Sequence, residues 1–195
     1  MANELEGKKI GIIATDGVEQ VELTDPREAV EKAGAETELI SLEEGTIQAM
    51  NEDINKGDTF EVDKVIGDVD VDDYDGLILP GGTIGADNLR ESEDVIKFLQ
   101  DFFETGKPVG AICHAPWTLV EADLVKGRTL TSYPSIRTDI RNAGGEVVDE
   151  EVVVDQGLVT SRNPDDLPAF NAKLVEEFAE GEHEVANAGA TATSA

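Results

Sequence analysis

The chain carries one cysteine and two histidines in 195 residues. A lone thiol forms no internal disulfide, so no cross-link framework holds this fold, and the count fits a reducing compartment. So few thiols and imidazoles cannot build a clustered zinc site. Basic side chains are scarce as well, with 15 Lys and Arg against 43 Asp and Glu, for a net charge of −28 at pH 7. A field of that sign repels phosphate backbones and anionic bilayers, which argues against nucleic acid and membrane as partners. No apolar run approaches the roughly 20 residues of a membrane span. The opening "MANELEGKK" has no basic segment followed by an apolar one, so it does not read as a secretory signal, and a cytoplasmic location is expected. The glycines of "PGGTIGAD" lack the following Lys-Ser/Thr of a phosphate loop. The acidic runs lack the glycine and glutamate spacing of a calcium loop. Neither a metal nor an organic cofactor is expected.

The acids that are present run along the whole chain, as in "EDINKGDTFEVDK", "DVDVDDYD" and "VDEEVVVDQG". That distribution reads as a solvated acidic shell over an ordinary core. Such shells suit concentrated salt, where repulsion is screened within a few Å, and point to a salt-in halophile's cytosol. The length suits one domain over residues 1–180, with the small, polar stretch 181–195 as a flexible C-terminal tail.

Apolar runs at "KKIGIIA", "DGLILPGG" and "KPVGAI" read as core strands, each ending in a turn signal. "AETELIS" is a further strand. "TIQAM" and "TFEVDKVI", flanking the polar "NEDINKGD", read as a hairpin. A helix is expected from Asp25-Pro26, with proline at its first position. Val95, Ile96, Leu99, Phe102 and Phe103 recur at helical spacing, and "DLPAFNAKLVEEFA" is a closing helix. Strands alternating with helices predict a parallel sheet covered on both faces, with ligands beyond the carboxyl ends of its strands.

Three segments fall at those ends: "TDGVEQ", "PGGTIGAD" and "CHAPW". Cys113 stands between strand "PVGAI" and an expected helix "APWTLVEADLV". This is the layout of a nucleophile elbow, a tight bend that lifts the attacking atom out of the sheet. A helix N-terminus beneath it favours thiolate over thiol. The Gly81-Gly82 pair can approach a ligand closely, and the Gly82 and His114 amides could form an oxyanion hole. His114 is the one serious candidate base, His183 lying at the edge of the tail. Glu19, after the first strand, could lean over Cys113 and exchange a proton with it. Asp87, after the glycines, could orient His114. Trp117 either walls the pocket or packs in an interface.

These segments together resemble the PfpI family of intracellular cysteine proteases and stress deglycases, within the class I glutamine amidotransferase-like superfamily. The resemblance runs from residue 8 to about 180. It is carried by "DGVEQVEL", "LILPGGTIGADNLR", "GKPVGAICHAPWTLVEADLVKGRTLTSYPSIRTDIRNAGGEVVDEEVVVDQGLVTSR" and "PDDLPAFNAKLVEEF". It implies a flavodoxin-like three-layer α/β sandwich around a mostly parallel sheet. It implies Cys113 as nucleophile with His114 beside it, and Glu19 as the acid touching the sulfur. It further implies assembly as dimers or hexamers, with Asp87 reaching a neighbouring subunit's histidine. The family's activities include peptidase, cofactor-free glyoxalase and deglycase, and some relatives sense oxidation through the cysteine. A small dicarbonyl needs only a tight pocket, a thiolate and a proton shuttle, whereas a peptide needs an extended cleft. Carbonyl chemistry is therefore ranked above peptide cleavage. A glutamine amidotransferase would place a His-x-Glu near the C-terminus, and "GEHEVAN" lacks that spacing.

Overall fold

The computed structural model describes residues 3–183. Residues 184–195, most of the expected tail, lie outside the described residues. In chain order the elements are β1 (Lys9–Ile13), α1 (Gln20–Lys32), β2 (Glu36–Ser41), β3 (Thr46–Asn51), β4 (Asn55–Glu61), β5 (Lys64–Val65), β6 (Gly76–Leu79), α2 (Thr83–Arg90), α3 (Glu93–Glu104), β7 (Val109–Ile112), α4 (Pro116–Glu121), β8 (Thr129–Leu130), α5 (Arg137–Asn142), β9 (Glu146–Val147), β10 (Val153–Asp155), β11 (Leu158–Ser161) and α6 (Leu167–Glu180).

Seven strands form the central sheet in the order β10-β11-β7-β6-β1-β2-β5. All neighbours are parallel except β10, which runs antiparallel to β11. The mostly parallel sheet with flanking helices is the flavodoxin-like sandwich expected from the sequence. Strands β6, β7 and β11 are buried at every residue. Side chains alternate between two cores, as a period of two requires. Ile10, Ile12, Ile78 and Ile112 face one way, against Phe170, Leu174 and Phe178 of α6. Ile13, Leu77, Leu79 and Ala111 face the other, against Phe98, Leu99 and Phe102 of α3 and Leu119 of α4. At Gly110 an added Cβ would run into the Leu174 side chain, so the missing side chain lets α6 seat on the sheet.

The pairing register aligns Ile78 with Gly110 and Ile112 with Ser161. The carboxyl ends of β1, β6 and β7 therefore lie side by side, and the three candidate segments leave from one edge. A separate two-stranded hairpin, β3–β4, docks on the first of them. Gly17 donates to the Gln48 carbonyl at 2.9 Å, and Met50 donates to the Val18 carbonyl at 2.8 Å.

Two helices differ from expectation. Helix α1 begins at Gln20 and carries Pro26 in its interior. An interior proline costs a helix about 3 kcal/mol. Packing offsets that cost here, because Glu22, Leu23, Pro26 and Val30 form the buried stripe of α1. Helix α4 is shorter than expected, six residues ending at Glu121. Trp117 on α4 lies under the Arg90 guanidinium, 4.4 Å from the ring centroid, and packs at the surface of the α3–α4 core.

With 43 acids against 15 bases, unfolding relieves self-repulsion. The thermal midpoint should rise when KCl is raised from 0.05 M to 2 M, since the screening length falls to about 3 Å by 1 M. Differential scanning calorimetry across that range checks this, and a falling midpoint would refute the acidic-shell reading.

Candidate active site

Cys113 closes β7 and adopts φ +63°, in the left-handed region. That region costs a non-glycine residue energy, and the surroundings hold it there. Its N–H donates to the Ser161 carbonyl at 3.0 Å, and its carbonyl accepts from Tyr133 N–H at 2.8 Å. The bend brings the sulfur near the β6–α2 loop, and the backbone amides of Gly82 and His114 favour its ionised form. These are the two amides the sequence proposed for an oxyanion hole. Gly82 sits at φ +93°, where a Cβ would press on the Gly17 carbonyl and stand 2.6 Å from Glu19 N.

The acid beside the sulfur is Glu22. Its carboxyl is fully buried. Oε2 accepts the Gly81 N–H at 2.9 Å. Oε1 has no hydrogen-bond partner, and the Cys113 thiol lies beside this carboxyl. A Cβ placed on Gly81 would stand 2.5 Å from Glu22 Oε2 and 2.7 Å from Cys113 Cβ, so the glycine is the gap through which acid and thiol meet. The Gly81 amide is thereby committed to Glu22. Burial pushes the Glu22 carboxyl up to about 8, against the lowering effect of its bonds to Cys113 and Gly81. At neutral pH it is a protonated carboxylic acid, able to donate.

Glu19, the acid expected there, does other work. Its carboxylate turns away and accepts the N–H groups of Glu52 at 3.0 Å and Asp53 at 3.2 Å, in the β3–β4 turn. The physical reason is the early start of α1. Helical geometry from Gln20 swings Glu22 onto the stripe that also carries Pro26 and Val30 and points inward. Glu19 is left at the N-cap, facing the hairpin.

The sulfur also differs from expectation. Cys113 is 6% exposed and belongs to the α6-side core, so it is not an open surface thiolate. Burial, then the charge of an ionised Glu22, push the thiol up, while the Gly82 and His114 amides pull it down. The thiol is the resting form, and a base must take its proton.

His114 is placed to do so. Its Nδ1 lies 3.2 Å from Cys113 Sγ. Its ring stacks on Tyr133, with centroids 4.5 Å apart. Burial holds the imidazole below its ordinary pKa, opposed by the charge of Asp53, which keeps it neutral at pH 7. Nε2 meets Ser135 Oγ at 3.1 Å and Thr83 Oγ1 at 3.3 Å. Asp87 takes no part in this group. It is exposed on α2 and lines a shallow surface cleft of about 900 Å³ with Arg90, Glu93, Lys97 and Glu121. A second cleft of about 440 Å³, lined by residues including Asp16, Glu43 and Asn88, also omits Cys113, Glu22 and His114.

Sequence reasoning missed Glu22, Asp53, Thr83, Ser135 and Tyr133. For Glu22 a signal existed, since positions 22, 26 and 30 share one helical face. The others come from separate loops and carry no local mark. Among the described residues, Glu177, Glu180 and His183 bring three donor atoms within 4.8 Å of one another. His183 Nε2 stands 3.1 Å from Glu177 Oε2, and His183 packs over Gly157, which leads into the amino end of β11 and so lies away from the Cys113 edge.

The raised Glu22 pKa has a stability consequence of definite sign. Between its ordinary value of 4.5 and about 8, the unfolded carboxyl has lost its proton and the folded one keeps it. The folded state binds more protons, so stability falls as pH rises through that window, by about 1.4 kcal/mol per pH unit from this group. Glu22→Gln should remove that slope and gain stability over the parent at pH 8 more than at pH 5. Urea unfolding of both proteins at the two pH values tests it, and parallel pH profiles would refute a neutral buried Glu22.

The DJ-1/PfpI family matches residues 8–177. An Escherichia coli relative named protein/nucleic acid deglycase 2 is 45% identical over 171 residues, covering 86% of this chain and 96% of that protein. Bacillus subtilis YraA, whose name assigns it provisionally to the cysteine proteases, is 46% identical over 165 residues, covering 84% and 94%. The crystal structure of Drosophila melanogaster DJ-1beta superposes with a TM-score of 0.79 at 29% identity, covering 92% of this chain and 91% of that one. No helix among the described residues is long and apolar enough to cross a membrane. An elbow cysteine on this sheet, matched over nearly the whole chain by sequence and by fold, leads to one conclusion: the chain belongs to the DJ-1/PfpI family.

Proposed function

We propose that the protein is a cytoplasmic, cysteine-dependent stress enzyme that acts on reactive carbonyls, as a cofactor-free glyoxalase or a deglycase of carbonyl-modified protein. The observation that carries this reading is a fully buried carboxyl beside a thiol that also meets an imidazole at 3.2 Å. In this reading His114 Nδ1 takes the Cys113 proton as the sulfur adds to the aldehyde carbon of a dicarbonyl such as methylglyoxal. The new alkoxide is held by the Gly82 and His114 amides and protonated by Glu22. Ionised Glu22 then takes the proton from the former aldehyde carbon, the His114 imidazolium delivers one to the neighbouring carbon, and the hydroxyl proton passes between the two oxygens, giving a thioester. Water cleaves the thioester, releasing lactate and the thiol. The sum is dicarbonyl plus water to hydroxy acid, so no outside oxidant or reductant is needed.

Site shape favours a small substrate. Cys113 is 6% exposed, and neither of the two surface clefts described reaches it. The charge of −28 disfavours nucleic acid as the modified substrate and leaves free carbonyl or protein adducts. The relatives named as deglycase and as protease lend support to a cysteine enzyme of one kind or the other. Peptide cleavage is the second reading, oxidation sensing through Cys113 the third. Self-association as dimer or hexamer, with Asp87 offered to a neighbour's histidine, belongs to the same proposal, as does work in concentrated salt.

In 2 M KCl the parent protein should consume methylglyoxal and form lactate, and Cys113→Ala should have no measurable rate. Glu22→Gln should lower kcat by roughly 100-fold or more, since it removes a general acid. Enzymatic lactate assay and casein hydrolysis, run side by side, decide the class. Cys113-dependent casein cleavage without lactate would overturn the carbonyl reading in favour of peptidase.

A further inference from the structure

We infer that Asp53, at the tip of the β3–β4 hairpin, is the positioning residue for His114 and acts through Thr83, so that one chain supplies its own orienting acid. The inference rests on reading His114 Nδ1 as the base for Cys113. It concerns how that base is held, whatever the substrate.

Proton counting carries it. Asp53 Oδ1 accepts the Thr83 backbone N–H at 2.7 Å, and Oδ2 accepts the Thr83 hydroxyl at 2.9 Å. A threonine hydroxyl has one proton, and a carboxylate has none to give back. Toward His114 Nε2, 3.3 Å away, Thr83 Oγ1 therefore presents only lone pairs. For that contact to be a hydrogen bond, Nε2 carries the imidazole proton. Ser135 Oγ, 3.1 Å from the same nitrogen, can accept alongside Thr83. A neutral imidazole protonated at Nε2 has a bare Nδ1, and that is the nitrogen 3.2 Å from the sulfur. The carboxylate thus selects the tautomer that can receive the thiol proton.

The hairpin is built to deliver this carboxylate. Glu52 and Asp53 hold φ of +55° and +62°, the twisted turn of a tight hairpin. Their exposed N–H groups are both satisfied by Glu19. Gln20 ties the outgoing strand as well, its Oε1 accepting from Asp58 N and its Nε2 donating to Asp58 Oδ2 at 2.8 Å. With its turn pinned to the start of α1, the hairpin sets Asp53 at the first amide of α2, where a negative charge is also favoured by the helix dipole.

Asp53→Asn inverts the relay with almost no change of shape. The amide oxygen keeps the Thr83 N–H, and the amide NH₂ donates to Thr83 Oγ1. The hydroxyl proton is freed to point at Nε2, and the imidazole proton moves to Nδ1. Thr83→Val removes the hydroxyl, and Thr83→Ser restores it. The readouts are ¹⁵N shifts of His114, alkylation of Cys113 by iodoacetamide at pH 7, and methylglyoxal turnover, all on full-length protein in molar KCl. Expected are an Nε2-protonated His114 in the parent and in Thr83→Ser. Asp53→Asn should shift it to Nδ1-protonated, and Asp53→Asn and Thr83→Val should each slow alkylation at least roughly tenfold. Unchanged His114 shifts in Asp53→Asn together with parental alkylation in both variants would overturn the relay. If the parent shows no methylglyoxal turnover while the tautomer and alkylation effects appear, the substrate assignment falls and the relay stands.

Discussion

A carboxylic acid that stays protonated at neutral pH is the constraint around which this sheet edge is arranged. Glu22 has no solvent contact and one conventional hydrogen bond, from Gly81. An ionised carboxylate there would be buried, and burial disfavours the charge more than the Gly81 amide and the thiol favour it. The neutral acid instead stands beside the sulfur with an O–H it can give. For the acid to reach the sulfur, residue 81 must lack a side chain, Cys113 must take a left-handed turn, and α1 must start early enough to place Glu22 in its first turn. Two of those features cost stability, the turn through backbone strain and the helix through its interior proline, and together the three define one contact.

The hairpin answers a second need. A neutral imidazole has two tautomers, and only one leaves Nδ1 free to accept from sulfur. Tyr133 fixes the plane of the ring by stacking but cannot choose between tautomers. Hydroxyls alone cannot choose either, since Thr83 and Ser135 can donate or accept. A fixed acceptor at the end of the chain of bonds breaks that symmetry, and Asp53 occupies that end. Glu19 then belongs to the scaffold, two steps removed from the chemistry, through the turn amides it holds.

Much of this was legible in the sequence. The alternation of apolar runs with helical stripes gave the sheet, because burial on both faces leaves continuous apolar strands such as "LILP" and "PVGAI". The elbow cysteine and its histidine were legible because they fall where such a run ends. The identity of the acid was not. Glu19 and Glu22 are three residues apart in a chain where acids are everywhere, and only the helix phase separates them. That phase was hidden by Pro26, whose usual place is the first turn, so the helix was read as starting six residues late. Asp53 was unreadable for a different reason. It meets Thr83 across 30 residues and His114 only through it, and no periodicity in the sequence encodes a contact between a hairpin tip and a helix start.

The acidic composition sharpens the meaning of these few residues. In a chain with 43 acids, charge alone marks nothing, and most carboxylates here are exposed and solvated. Glu22, Glu19 and Asp53 meet backbone amides and a hydroxyl rather than lysine or arginine. Surface acids such as Asp149 pair with guanidinium groups, held below the usual carboxylate range by Arg137 and Arg162. Pairs of that kind weaken as salt rises, whereas hydrogen bonds from amides in a buried pocket are screened far less. A site whose acid and imidazole are neutral, and whose carboxylates are held by amides and hydroxyls, should therefore keep its geometry as salt is raised. The shell and the site thus follow opposite electrostatic rules, and the sheet edge is where the chain passes from one to the other.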